Sequence, residues 1–311
     1  MINRKLIRLK IVQLVYAYYQ NEGKTIPVAE KELDYSLTQA YKLYLYQLSF
    51  LVALRQLARQ KNDAFQARLR RSGKADGSLS PQSRLAENAL LEKLADNATV
   101  GAYIEKEKQP WPEEDGILLK VYESMAASPV TETYMAKGDF SFEADRELMR
   151  KLYKTCIAQN EDIDAMLEAH GLYWNDDKDV VDSFVLKTIK RTAAGDKPDQ
   201  PLQPEYTDPE DKNFAHDLFV HTLTRAEETR RLIRENCKNW KFERMAAMDI
   251  VIAQIALTEI LDFPQIPLNV TFNEYIEIAK AYSTPRSGSY LNGLLDNIVK
   301  QLRETGTLMK A

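Results

Sequence analysis

Apolar residues recur every three to four positions along most of the chain, the period of helices that bury one face. Residues 4–20 read as one amphipathic helix, with Ile7, Ile11, Leu14 and Tyr18 on the side fit for a core. Residues 30–70 read as a long helix or a helix pair carrying Leu37, Tyr41, Leu45, Leu48, Leu51 and Leu54. The stretch 72–81 is a loop by composition, and 82–107 is helical again until Pro110-Trp111-Pro112 breaks the pattern. Helical periodicity returns at 114–127 and at 141–170. Residues 194–209 hold prolines at 198, 201, 204 and 209 and read as a linker. Four helices follow. The first is opened by Asp208-Pro209 and runs to about Asn236, and the others cover about Glu243–Leu261, Leu268–Tyr282 and Ser287–Arg303. In the second of these, Met245, Met248, Ile252, Ile255 and Ile260 mark the core face.

This pattern predicts an all-α protein, and composition agrees. Only 11 Gly and 12 Pro in 311 residues argue against a turn-rich β-sandwich. No Gly-rich phosphate loop occurs, so no nucleotide cofactor is expected. Cys156 and Cys237 are too few for a disulfide framework, and His216 and His221 are five apart, so no metal site is expected either. No long apolar run exists to span a membrane, and the basic start lacks a signal-peptide cleavage pattern; the expected location is the cytoplasm. No catalytic constellation stands out, and the chain is not expected to be an enzyme.

Charge changes the picture locally. The net charge is −4, but residues 55–74 carry seven bases against one acid, Asp63, whereas 161–182 carry eight acids against Lys178 alone. In the first helix Arg4, Lys5 and Arg8 share a third of a turn, with Tyr16 and Tyr19 near the same stripe. Cations attract phosphates and tyrosine rings stack on unpaired bases, although a solvated basic edge explains the same residues. Lys10 lies off this stripe. The stretch 283–296, with Pro285, Arg286, Gly288, Ser289 and Tyr290, reads either as an ordinary helix start or as an anion-binding corner.

There is also internal similarity. Residues 145–192 align without a gap to 211–258, with Asp145, Leu152, Glu161, Trp174, Val185, Ile189 and Thr192 matching Asp211, Leu218, Glu227, Trp240, Val251, Ile255 and Thr258. Two similar amphipathic helices and a degenerate repeat both explain it.

Four blocks carry a family resemblance: Arg4-Lys5, Arg8 and Val12-Gln13 with Tyr16; Trp240, Arg244 and Asp249; Pro267 with Asn273-Glu274, Ile276-Glu277 and Ala279-Lys280; and Ser289-Tyr290-Leu291-Asn292-Gly293 with Leu295-Asp296. In order and spacing they resemble the bacterial transcription antitermination factor family NusB. The resemblance covers about 4–22 and 211–303. It implies an all-α helical bundle with an additional helical region inserted after the first helix. The expected divisions are 1–22 for the first helix, 23–140 for the inserted helical region and 141–193 for a helical segment, read alternatively as a degenerate repeat of 207–258. They continue with 194–209 for the linker, 210–303 for the C-terminal bundle and 304–311 for a tail.

The resemblance further implies a heterodimer with ribosomal protein S10 (NusE), binding of boxA-type single-stranded RNA, and indirect association with other Nus factors and RNA polymerase during ribosomal RNA transcription. Carried over by position, the RNA contacts would be Arg4, Lys5, Arg8, Gln13 and Tyr16 from the first helix. Arg286, Ser287 and Tyr290 would join them from the turn before the last helix. Asp249 would lie near the S10-facing surface, while Asn273, Glu274, Asn292 and Asp296 would make helix-to-helix hydrogen bonds. The same helical module also serves some ribosomal RNA methyltransferases as a docking domain, and a protein–protein scaffold is a third reading.

Overall fold

The computed structural model describes residues 1–21, 23–72, 80–108, 111, 116–237 and 242–308. Much of the 72–81 loop, Pro110, Pro112 and Trp240 lie outside the described residues, as does Lys74 of the basic run. Regular structure among the described residues is helical: α1 Arg4–Gln20, α2 Ile26–Arg71, α3 Pro81–Ala86, α4 Ala89–Asp96, α5 Ala98–Glu107, α6 Ile117–Ala126, α7 Pro129–Lys137, α8 Phe142–Leu152, α9 Glu161–His170, α10 Leu172–Arg191, α11 Asp211–Thr224, α12 Ala226–Asn236, α13 Ala247–Asp262, α14 Leu268–Tyr282 and α15 Ser287–Glu304. A π-helical turn, Tyr153–Ala158, continues α8, and a 3₁₀ turn, Phe242–Arg244, precedes α13. No described helix is long and apolar enough to cross a membrane.

Side-chain caps explain where the observed helices depart from the periodicity. The single helix expected over 82–107 is three, because Asn88 and Asn97 turn their side-chain oxygens onto backbone N–H groups ahead of them. Asn88 accepts from Leu91, and Asn97 from Thr99 and Val100. Each starts a new helix there. Asn160 divides 141–170 in the same way. Between 128 and 140, where no helix was expected, Ser128 caps and Pro129 opens α7, and Gly138 closes it at φ 65°. The helix expected from 208 to 236 breaks at Arg225, whose guanidinium binds Glu228 and Asp262.

The chain divides into two compact units. The first comprises Met1 and Gln39–Glu205. Its core contains the middle of α2, where Leu43, Tyr44, Leu48 and Leu51 are fully buried with Leu152, Val185 and Ile189. Two buried carboxylates inside it are each held by several donors, as burial demands. Tyr153 donates to Asp182 (2.6 Å), which also accepts from Gln47 (2.9 Å) and Lys178 (3.1 Å). Asp145 accepts from the Ala89 amide (2.7 Å), Arg84 (3.2 Å) and Tyr134. The proline-rich stretch expected as a linker lies against this unit: the carbonyls of Asp196, Pro198 and Gln200 accept from Lys93, the Ala98 amide and Asn97.

Tyr44, bonded at 2.6 Å to Thr188, titrates late because burial pushes its phenol up to about 12. A raised native pKa contributes stability below the unfolded value, and that contribution is lost as pH rises from about 10 to about 12. Alkaline titration followed at the phenolate absorbance should therefore show a late class of tyrosines released together with unfolding. Tyr44→Phe should remove one member of that class.

The second unit comprises Ile2–Thr38 and Tyr206–Ala311. It therefore holds the start of α2 as well as α1; Asp34 meets His216 at 2.9 Å. At its centre lies α13, packed against α1, α11, α12, α14 and α15, with every residue from Val251 to Ile260 buried. Burial of each such Ile or Leu is worth about 1.5–3 kcal/mol.

Several positions of the internal alignment have like surroundings. Asp145 and Asp211 each occupy the first turn of a helix, each is buried, and each receives an arginine, Arg84 and Arg4 respectively. Leu152 and Leu218, Val185 and Val251, and Ile189 and Ile255 are all core residues. The helices at the second half of the alignment nevertheless begin at different places, Leu172 and Ala247.

Candidate functional site

Asn3 fixes the start of α1 by accepting from the Leu6 amide at 3.0 Å, and this sets which way the basic residues point. Lys5 is exposed. Arg4 is partly exposed, held by Asp211 at 3.1 Å and stacked over the Phe214 ring at 4.9 Å. Gln13 and Tyr16 are half-buried.

Arg8 corrects the sequence reading. It is 3% exposed and gives a two-pronged bond to Glu259, Nε to Oε2 at 2.7 Å and Nη2 to Oε1 at 2.9 Å. Thr271 (2.7 Å) and Tyr275 (3.1 Å) donate to the same carboxylate. Burial works against the Arg8 charge, but the bond to Glu259 and its field outweigh it and hold the guanidinium above its ordinary value. Burial also pushes the Tyr275 phenol up, and the Glu259 charge adds to this. Arg8 is thus a core ion pair and is not on the surface stripe. Lys10 is fully buried as well.

The turn before α15 is built around another buried carboxylate. Ser287, 1% exposed, donates to Asp249 at 2.9 Å and lies 2.8 Å from the Thr284 hydroxyl. Ser287 and Asp249 were expected at surfaces; both are inside, because the first turn of α13 and the start of α15 meet there. Asp249 Oδ1 has no hydrogen-bond partner among the described residues. Arg286, beside this pair, is exposed and has no ion pair among the described residues. Tyr290 is half-buried with its hydroxyl 3.5 Å from Cys237 Sγ, and burial followed by that contact raises its pKa. At Gly288 a Cβ would come to 3.0 Å from Lys280, so α14 and α15 approach closely here.

Both segments border α14. Lys5 is near enough to Glu277 for their charges to interact, and Glu277 binds Lys280 at 2.6 Å. Lys280 in turn packs at Gly288. Glu277 is held below the usual carboxylate range, chiefly by Lys280 and then by Lys5. The surface along α14 thus presents Lys5, Lys280 and Arg286 as exposed cations, with Tyr290 half-exposed on α15. Such groups can hold phosphates and offer ring faces to bases.

Lys280 was absent from the expected contacts, although a lysine ending an amphipathic helix beside a turn is a legible cation. Asn273, Asn292 and Asp296 are exposed rather than bridging helices, and Asp296 pairs with Lys300 on its own helix at 2.7 Å. Among the described residues no group of three or more His, Cys, Asp or Glu could hold a metal ion.

A profile of the NusB family matches residues 184–300. The transcription antitermination protein NusB of Salinibacter ruber is 44% identical over 103 residues, 33% of this chain and 64% of that protein. That of Koribacter versatilis is 41% identical over 91 residues, 29% of this chain and 62% of its own. The chain thus spans a little under two thirds of each of these relatives. The NusB protein of Geotalea daltonii is 35% identical over 137 residues, which cover 44% of this chain and 91% of the relative. No solved structure matches the chain. With an all-helical second unit and a relative aligned over nearly its whole length, the chain belongs to the NusB family.

Proposed function

We propose that this protein is a transcription antitermination factor that works in the cytoplasm by recognition, not turnover. It binds boxA-type single-stranded RNA together with ribosomal protein S10 during ribosomal RNA transcription, and through that complex meets other Nus factors and RNA polymerase. The observation that carries this reading is the alignment with a named antitermination protein over 91% of that relative's length. The geometry of the second unit supports it with the exposed cations Lys5, Lys280 and Arg286 along α14. Arg4 sits at the margin, shared between Asp211 and solvent.

In this reading Lys5 and Arg286 contact phosphates, while Gln13, Tyr16 and Tyr290 meet splayed bases. Arg8 and Ser287 support the surface from beneath, and Asp249 anchors the turn that presents Arg286. The test is the double variant Lys5→Ala/Arg286→Ala. Both side chains are exposed, so thermal stability should not change. Binding to a boxA-like RNA should weaken, and the log–log salt dependence should flatten by about 1.4, roughly 0.7 for each lost phosphate contact. Unchanged affinity and slope would remove this surface from the RNA site.

A further inference from the structure

The first unit carries a second cationic surface that none of the family motifs covers. Through residues 40–58, α2 is mostly buried, but from Arg59 to Ser72 no residue with a described side chain is buried. The helix continues beyond its core for more than three turns. Arg59, Lys61, Arg68, Arg70 and Arg71 are exposed there, and Asp63 is the one acid. Arg59 reaches Glu92 at 3.8 Å, whereas Lys61, Arg68, Arg70 and Arg71 have no ion pair among the described residues. Lys61, Phe65, Arg68 and Arg71 follow at i, i+4, i+7 and i+10 and so form one stripe. Phe65 is 44% exposed on that stripe, among the few large apolar side chains at the surface.

We propose that the α2 extension is an accessory binding surface for single-stranded RNA, gripping the phosphate backbone without regard to sequence. The choice of RNA as the polyanion rests on the reading above. Three features favour RNA over other anionic partners. Arginine predominates over lysine, and its planar fork suits phosphate oxygens and stacks on rings. An exposed phenyl ring lies between the cations, where a base can stack. The other exposed apolar residues of this stretch are Ala64 and Ala67, too small a face to insert into a lipid surface. From Lys61 to Arg71 the stripe is about 15 Å long at the helical rise, enough for several phosphates.

The test uses the full chain and the variant Lys61→Gln/Arg68→Gln/Arg70→Gln/Arg71→Gln, with a short oligouridylate and a boxA-like RNA of equal length as probes. Between about 50 and 200 mM salt, the variant's log–log slope for oligouridylate should be shallower by 2 to 3, about 0.7 per cation. Its affinity at the low-salt end should fall at least tenfold. The preference for boxA-like RNA over oligouridylate should survive. Loss of that preference in the parent, with the slope change intact, would sink the specific site and leave this surface standing. Parental slope and affinity in the variant would overturn the proposal, as would loss of binding to anionic vesicles with oligouridylate binding unchanged. Should the variant fail to fold, photocrosslinking of the parent to a thiouridine-containing oligomer decides: adducts within 59–72 support the surface, and adducts only elsewhere refute it.

Discussion

Arg8→Ala is expected to destabilise the second unit by about 3–5 kcal/mol, the usual cost of removing one partner from a buried ion pair. The fully buried Glu259 carboxylate would keep only the neutral donors Thr271 and Tyr275. Arg8→Lys keeps the charge but loses the planar fork, and should cost less. Arg8→Met combined with Glu259→Leu removes both charges and should recover much of the loss. Urea unfolding of the four proteins measures this. A loss below about 1 kcal/mol for Arg8→Ala would mean that the pair is solvated and that Arg8 is free to meet RNA after all. Affinity for RNA, corrected for the folded fraction, should be unchanged in Arg8→Ala, which separates this residue from Lys5 and Arg286.

Asp145→Ala should destabilise the first unit by roughly 3 kcal/mol. Asp145 neutralises Arg84, accepts from Tyr134, and binds the first amide of α4, so its removal strands three donors in a buried site. Asp211→Ala, the aligned position, should cost clearly less, because its partner Arg4 has a third of its side chain in solvent. Denaturant midpoints of the two variants compare them directly. Equal losses would show that the partly exposed Arg4 pair carries as much as the buried cluster.

The C-terminal helices were readable because Pro264, Pro267 and Pro285 punctuate a strong apolar period. The caps were readable too but need different attention: Asn88, Asn97 and Asn160 sit inside helical periodicity and still end helices, since their side chains compete for backbone amides. At the site, the helical wheel placed Arg4, Lys5 and Arg8 on one stripe but could not say how wide the buried arc is. α11, α13 and α14 surround α1 broadly enough to cover Arg8. A signal was present in Glu259, an acid deep within the apolar run Ile250–Ile260, where only a buried cation would accompany it. Ser287 and Asp249 are adjacent only through the meeting of two helix starts, a tertiary fact that spacing along the chain does not carry.

The most direct measurement is a titration of a fluorescent boxA-like leader RNA with this protein, alone and with ribosomal protein S10. A scrambled RNA and the Lys5→Ala/Arg286→Ala variant run in parallel. Preferential binding of the boxA-like RNA is expected, tightened by S10 and weakened in the variant. Equal binding of both RNAs in the presence of S10, indifferent to Lys5 and Arg286, would contradict it.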